Sequence, residues 1–231
     1  MNFNFLLQIN PGDMPATGIK NVPLWDIISE SNKGMGLIIN LVLLVMLGYA
    51  IFVFVERFLA LHKASKEEQG FLARVKDALS NGRIDEAKML CNSSQSPIAR
   101  MLAKGISRIG TAKNESIAAT IETTGKFEIL RLEQRLNFLA TASGAAPMIG
   151  FLGTTVGMVV VFIDLQNATS LELKIIAPGI MTAMITTVNG LIVGIVAYMG
   201  YNFLVGKIGK VVYQMENAAL EFMDLLNTPT K

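Results

Sequence analysis

The sequence of 231 residues is rich in apolar residues and poor in charge. Hydrophobic residues make up 52% of the chain, charged residues 16%, and the net charge is +2. Soluble domains average about a quarter charged residues, so this composition favours a membrane protein. The small net charge argues against a nucleic-acid-binding surface. The single cysteine, Cys91, excludes a disulfide within the chain and is expected to be a buried structural thiol.

The N-terminal segment, residues 1–33, carries an apolar patch from Phe3 to Ile9. It has no basic region before the patch and no small-residue cleavage pattern after it, so it does not resemble a secretory signal. We expect a short helix lying at the membrane surface, with Trp25 as a second interfacial anchor.

Three stretches lack any charged residue or histidine: Gly34 to Val55, Leu136 to Ile163, and Ile175 to Gly206. Each is longer than the roughly 20 residues that cross a bilayer as a helix. The sequence therefore predicts transmembrane helices at 34–56, 136–164 and 175–206. The second and third are long enough to tilt, kink or continue beyond the lipid.

Basic residues predict the orientation of these helices. Most lie at 57–135, between the first two spans, and Lys207 and Lys210 follow the third. Few lie in 1–33 or in the loop at 165–174. The positive-inside rule then places 1–33 and the loop outside, with the domain at 57–135 and the tail at 207–231 in the cytoplasm.

The segment at 57–135 has helical periodicity throughout, so we expect an all-α protein whose long helices extend into the cytoplasm. Asn81-Gly82 predicts a break between a first and a second helix. Ser96-Pro97 predicts the start of a third helix that reaches about Gly110. A fourth helix is predicted to run unbroken from Asn114 through the membrane to Ile163.

The side chains of an enzyme active site do not assemble in this sequence. It has one histidine, His62, and one cysteine, which leaves no His/Cys metal site within one chain. It also has no glycine-rich loop ending in Lys-Ser or Lys-Thr that would hold a phosphate. We expect no catalytic residues, no metal and no cofactor.

Small and polar residues concentrate in the second and third spans, and two interpretations stay open. In the structural one, Gly153-x-x-x-Gly157 and Gly190-x-x-x-Gly194 only let helices approach closely. In the functional one, a polar path is lined by Thr154, Thr182, Thr186 and Asn189. Neither span carries an acid near mid-membrane, although a proton relay ordinarily uses one.

Two motifs carry a family resemblance. Residues 146–158 read APMIGFLGTTVGM, and 177–180 and 186–191 read APGI and TTVNGL. Together with Glu56-Arg57 at the end of the first span and the order of spans, they make the chain resemble the ExbB/TolQ/MotA proton-channel family, closest to ExbB and TolQ. The resemblance covers nearly the whole chain.

The resemblance implies a homopentamer in the bacterial inner membrane, surrounding the single spans of an ExbD-like partner whose membrane aspartate carries the proton. Thr154 and Thr187 fall on the family's pore threonines. Thr182 stands where the family commonly has a glutamate, so no role of that acid carries over. The resemblance also implies mechanical work delivered to a TonB-like or TolA-like protein.

We therefore predict an ExbB-like stator subunit of a proton-driven motor that serves TonB-dependent transport. A TolQ-like or gliding motor and a non-conducting membrane scaffold are the alternatives, and sodium remains an alternative to protons. The predicted ion pathway is Thr154, Thr182, Thr186 and Thr187, and Glu56 and Arg57 are predicted to form a structural ion pair at the membrane edge. Residues predicted to pack or kink the helices are Pro147, Gly150, Gly153, Gly157, Pro178, Gly190 and Gly194.

Overall fold

The computed structural model describes residues 35–66, 70–168 and 173–227. The predicted surface helix at 1–33, with Trp25, lies outside the described residues, as does part of the loop at 165–174. The described ranges are helical and contain no strand, which confirms the all-α prediction. The helices are α1 (Met35–Lys66), α2 (Phe71–Ser80), α3 (Ile84–Ser93), α4 (Pro97–Ile106), α5 (Asn114–Glu133), α6 (Leu136–Asn167) and α7 (Leu173–Asn227).

Three of these helices are long and apolar enough to cross a bilayer. The candidate spans are Gly36–His62 in α1, Leu136–Asn167 in α6 and Ile176–Asn227 in α7, which confirms the three predicted transmembrane helices. The 55 residues of α7 extend over roughly 80 Å at a rise of ~1.5 Å per residue. Since hydrocarbon is only about 30 Å thick, a large part of α7 lies outside the membrane.

Local sequence explains the ends of the short helices. The Ser96 side chain accepts a hydrogen bond from the Ala99 N–H at 3.1 Å, and Pro97 occupies the first position of α4, as predicted. Gly82 has a φ of 71°, which suits the predicted break between α2 and α3. Helix α4 ends at Ile106, and the residues from there to Gly110 form turns rather than continuing the helix.

The prediction of one unbroken helix from Asn114 to Ile163 is wrong. Helix α5 ends at Glu133, Gln134 has an extended backbone with φ −53° and ψ 136°, and α6 begins at Leu136. Between them, Arg135 adopts a left-handed φ of 69°. The break contains neither glycine nor proline, so the local rules for helix ends gave no indication of it.

The chain divides into two compact units. Of the described residues, the first unit combines 35–41 with 150–168 and 173–189, and the second combines 42–66 and 70–149 with 190–227. Within the second unit, α2 to α5 pack with the C-terminal part of α7 around a cluster that we call the short-helix core. Its largest buried side chains include Phe71, Val75, Leu102, Ile106, Ile117, Met215 and Phe222.

A separate apolar cluster of the second unit joins α1, α6 and α7. It contains Val53 of α1, Leu139 of α6 and Leu204 of α7, each at most 1% exposed. Tyr49 and Phe138 extend it with an edge-to-face ring contact at 4.4 Å between centroids. This cluster fixes the three spanning helices against one another within the second unit.

Candidate ion pathway in the membrane helices

Glycines bring α6 and α7 into close contact in the first unit. A Cβ atom added to Gly153 would lie 2.6 Å from the Cβ of Thr186, and one added to Gly157 would lie 2.9 Å from the Cβ of Ala183. Gly179 of α7 approaches Val161 of α6 in the same way. Such short distances leave no room for a side chain, so the helices approach as small residues allow in lipid.

A proline and a glycine form a second close approach, within the second unit. A Cβ atom on Gly194 would lie 2.7 Å from the Cγ of Pro147 and 3.2 Å from the carbonyl oxygen of Ser143. Pro147 has no N–H, so the Ser143 carbonyl loses its usual donor inside α6. Gly194 lets α7 pack against this proline.

The other predicted packing residues differ in burial. Gly150 and Gly190 are buried, which suits close packing. Pro178 is exposed within α7, and its carbonyl oxygen accepts a hydrogen bond from a threonine one turn later.

Two of the predicted pathway threonines lie in the α6–α7 contact. Thr187 is partly buried and its hydroxyl donates across the contact to the carbonyl oxygen of Gly150 at 3.1 Å. Thr186 is fully buried, and its hydroxyl donates within α7 to the Ala183 carbonyl at 2.8 Å. The contact therefore contains hydroxyl groups, and that of Thr187 joins the two helices.

The other two predicted threonines bond to their own helices. Thr154 donates to the Phe151 carbonyl at 2.7 Å in α6, and Thr182 donates to the Pro178 carbonyl at 2.9 Å in α7. Both side chains are partly exposed on the single chain. No hydrogen bond within the described ranges joins them to each other or to Thr187.

An interhelical amide pair in the first unit was not foreseen from the sequence. Asn189 of α7 donates a side-chain hydrogen bond to the side-chain oxygen of Asn40 in α1 at 3.0 Å. Helical periodicity had grouped Asn189 with the threonines of the polar path. A single asparagine in the apolar run of α1 was the available indication, because a polar group in lipid needs a partner.

Charged residues meet at the end of the first span. Glu56 binds the Nη1 atom of Arg135 through both carboxylate oxygens, at 2.6 and 2.8 Å. Arg57 lies 3.9 Å from Glu56 and donates to the carbonyl oxygen of Arg131 at 3.3 Å. The predicted Glu56–Arg57 contact is therefore part of a larger cluster that includes the break between α5 and α6.

The electrostatics of the spans follow from these positions. The ranges 136–163 and 175–206 contain no Asp, Glu, Lys, Arg or His, so their polar side chains are hydroxyls, amides and tyrosine. In the described ranges no group of three His, Cys, Asp or Glu residues could hold a metal ion. Hydroxyls and amides in these two ranges can donate and accept hydrogen bonds, but neither range contains a carboxylate to bind a proton.

Comparison with known proteins gives a family match over more than half of the chain. The model of the MotA/TolQ/ExbB proton channel family matches residues 93–217. The Tol-Pal system protein TolQ of Haemophilus influenzae is 30% identical over 210 residues, covering 83% of this chain and 90% of the relative. TolQ of Pseudomonas aeruginosa is 25% identical over 93% of this chain and 96% of its own length.

A relative of the other type is similar over a shorter range. The biopolymer transport protein ExbB of Salmonella typhimurium is 30% identical over 162 residues, which cover 65% of this chain and 57% of the relative. The chain is therefore similar both to relatives named TolQ and to a relative named ExbB. The chain belongs to the MotA/TolQ/ExbB proton channel family, whose members are membrane proton channels and not enzymes.

Proposed function

We propose that this chain is the ring-forming stator subunit of a proton-driven motor. In this proposal the motor is ExbB-like and couples the proton motive force to TonB-dependent transport across the outer membrane. The observation that carries the proposal is the composition of the spans. They bring hydroxyl groups into a close helix contact, yet 136–163 and 175–206 contain no acid or base. A proton channel built this way needs a carboxylate from another chain.

In the proposed mechanism, a single-span partner of ExbD type supplies that carboxylate from a membrane aspartate. The partly exposed Thr154, Thr182 and Thr187 hold water and orient it toward the partner, since a hydroxyl both donates and accepts hydrogen bonds. The buried Thr186 completes the polar side of the pathway within the α6–α7 contact. The methyl groups and apolar side chains around them keep the path narrow. Thr182 contributes a hydroxyl where the family resemblance leads one to expect a glutamate.

The energy for the motor comes from the membrane potential and the proton gradient. One elementary charge crossing 100 mV releases about 2.3 kcal/mol. A ring and partner whose rotational states differ by a few kcal/mol are therefore driven by individual proton transits. The resulting rotation or shear of the partner does mechanical work on a TonB-like protein.

The proposed location is the bacterial inner membrane, with the N-terminus outside and α2 to α5 in the cytoplasm. The distribution of Lys and Arg supports this orientation. The proposed assembly is a homopentamer. Large apolar side chains that remain exposed on α5 and α7 beyond the charge-free stretches support association between copies; they are Phe127, Leu130, Tyr213 and Leu220.

A TolQ-like function in envelope integrity is the second candidate. The TolQ relatives of Haemophilus influenzae and Pseudomonas aeruginosa align over 90% and 96% of their own length, whereas ExbB of Salmonella typhimurium aligns over 57%. Deleting the gene distinguishes the two outputs. Loss of nutrient uptake through the outer membrane with an intact envelope supports the ExbB-like output, and detergent sensitivity supports the TolQ-like one.

Proton flux into liposomes tests the shared mechanism. The purified chain alone should conduct little, and adding the aspartate-bearing partner should produce a flux that its Asp→Asn variant does not. The scaffold alternative predicts no flux under either condition. A large proton leak through the chain alone, unaffected by the partner, would contradict the coupled-motor mechanism.

A further inference from the structure

The break between α5 and α6 occurs where the local sequence favours a helix. Gln134 and Arg135 are both good helix formers, and neither glycine nor proline interrupts the segment. Arg135 nevertheless has a φ of 69°, the one positive φ of a non-glycine residue in the described part of the chain. Such a backbone is sterically strained for a residue with a side chain, so other contacts must hold it.

Contacts from α1 supply that stabilisation. The Glu56 carboxylate binds Arg135 at 2.6 and 2.8 Å, which makes a charge-assisted interaction with the strained residue itself. It links two residues 79 positions apart in the sequence, so it does not depend on local folding. The strained conformation of Arg135 is therefore linked to the position of α1.

Arg57 stabilises the other side of the break. Its Nη1 atom donates to the Arg131 carbonyl at 3.3 Å, and Arg131 lies in the last turn of α5. Carbonyls in that turn have no helical donor once the helix stops, so Arg57 satisfies one of them. The Arg57 side chain is only 13% exposed, and its buried Nε atom has no hydrogen-bond partner in the described structure.

Space for movement lies beside the break. A groove with a free volume of about 380 Å³ is bordered by residues on both sides of it and by α7. Residues of α5 and α6 line one wall, and the opposite wall is α7. The residues that line it next to the break are Glu133, Leu136 and Asn137. The groove leaves unfilled space beside the residues that flank segment 134–135.

We propose that Glu56, Arg57 and Arg135 form a clasp that holds a two-state joint between α5 and α6. In the held state the Glu56–Arg135 pair keeps Arg135 left-handed and the helix broken. In the released state 134–135 become helical, and α5 and α6 form one continuous helix with a changed direction and rotation. The joint is a conformational device of the fold and does not require the proposed ion flux.

Hydrogen exchange at the start of α6 reports the state of the joint. In the held state the N–H groups of Leu136 and Asn137 lie at the start of α6, where no carbonyl group of a preceding helical turn accepts their hydrogen bonds. In the released state they bond to the carbonyls of Leu132 and Glu133 and become protected. We expect Glu56→Gln and Arg135→Ala to slow exchange of these two amides at least about tenfold in the full chain in nanodiscs.

Arg135→Gly is the matched control. Glycine adopts a positive φ without strain and disfavours a helix, so this variant loses the ion pair but keeps the break and the fast exchange. The charge reversal Glu56→Arg with Arg135→Glu should restore the pair, and with it the fast exchange of the wild type.

Wild-type exchange rates at Leu136 and Asn137 in Glu56→Gln would overturn the clasp, because the break would then persist without the pair. If Glu56→Gln does not fold, Arg135→Ala decides, since it removes the same pair and leaves the partly exposed Glu56 free to contact water. Slow exchange in Arg135→Gly would also overturn the proposal. It would mean that the helix forms through residue 135 even when glycine allows the positive φ without strain, so the φ of this residue would not control the break.

Discussion

The short-helix core and the α6–α7 contact around Gly153 are built from opposite kinds of side chain. The core buries large apolar groups such as Leu102 and Ile106, which are at most 1% exposed. The α6–α7 contact instead places glycines against a threonine and an alanine, while apolar residues such as Phe151 point outward and are 66% exposed. Bulky side chains fill the short-helix core, whereas small residues in the α6–α7 contact let the two helix backbones approach closely.

The solvent accounts for this difference. In water, burying a large apolar side chain contributes about 1.5–3 kcal/mol, so a core of bulky residues is stable. Lipid tails are as apolar as leucine, so that driving force is missing between membrane helices, and close contact with interhelical hydrogen bonds replaces it. Removing volume should therefore damage the first region, and adding volume should damage the second.

Leu102→Ala is expected to have the largest effect. It creates a cavity at a residue that is 0% exposed in the short-helix core, and we expect a loss of about 2–5 kcal/mol in the free energy of unfolding. Urea unfolding in detergent micelles, followed by circular dichroism, measures it. Met89→Ala, at a position 66% exposed on α3, is the control and should change stability little. Equal effects of the two changes would contradict a packed core.

The same core makes a pH prediction through Cys91. Burial raises the pKa of the Cys91 thiol from 9.0 to about 11. The unfolded chain then loses this proton near pH 9 while the folded chain keeps it. The contribution of the thiol to the free energy of unfolding is therefore fully present below pH 9 and is lost as the pH rises toward 11. The loss is at most about 1.4 kcal/mol per pH unit in that window.

Cys91→Ala isolates the contribution of the thiol from other groups that titrate in the same range. The difference in free energy of unfolding between wild type and Cys91→Ala should shift against the wild type from pH 9 to pH 11. A difference that stays constant over this range would show that the thiol ionises equally in both states.

Gly153→Leu should disrupt the membrane contact by adding volume. Its side chain would collide with Thr186, and overpacking of this kind costs roughly 1–3 kcal/mol. Thermal unfolding in micelles and the assembled fraction by native mass spectrometry measure the effect. Gly144→Leu is the control on the same helix, because a Cβ at Gly144 would have no atom within 4 Å apart from the adjacent residues and the backbone of its own helix. Matching behaviour of the two variants would contradict the close α6–α7 approach.

The Asn40–Asn189 hydrogen bond should give the smallest effect. Interhelical hydrogen bonds in membranes average about 0.6 kcal/mol, and a double-mutant cycle with Asn40→Ala and Asn189→Ala should find a coupling energy of that size. Asn202 bonds to a carbonyl of its own helix, so Asn202→Ala paired with Asn40→Ala should show no coupling. Zero coupling between Asn40 and Asn189 would mean that their contact contributes no stability.

Composition and local chemistry predicted the elements but not their long-range partners. The length of the charge-free stretches was sufficient to predict the three spans, and Ser96-Pro97 was sufficient to predict the start of α4. Both features depend only on residues that are neighbours in the sequence. At the break, Arg135 binds Glu56, which lies 79 positions away, and the residues next to the break do not indicate such a partner.

The candidate site shows the same limit. The sequence placed the threonines on helices that cross the membrane, since helical spacing defines which residues share a face. It could not say that Thr186 packs against Gly153 or that Asn189 bonds to Asn40, because spacing does not identify the neighbouring helix.

Hydroxyls in the α6–α7 contact are proposed to guide protons to a carboxylate of the partner, and proton flux through Thr187 variants tests this mechanism most directly. Thr187 donates across the contact to Gly150, whereas the hydroxyl of Thr155 donates to Leu152 within α6. In liposomes containing the chain and its aspartate-bearing partner, Thr187→Val should lower the proton flux by about tenfold, the effect of losing one hydrogen bond in the path. Thr187→Ser and Thr155→Val should conduct as the wild type does. Undiminished flux in Thr187→Val, or an equal loss in Thr155→Val, would contradict the claim.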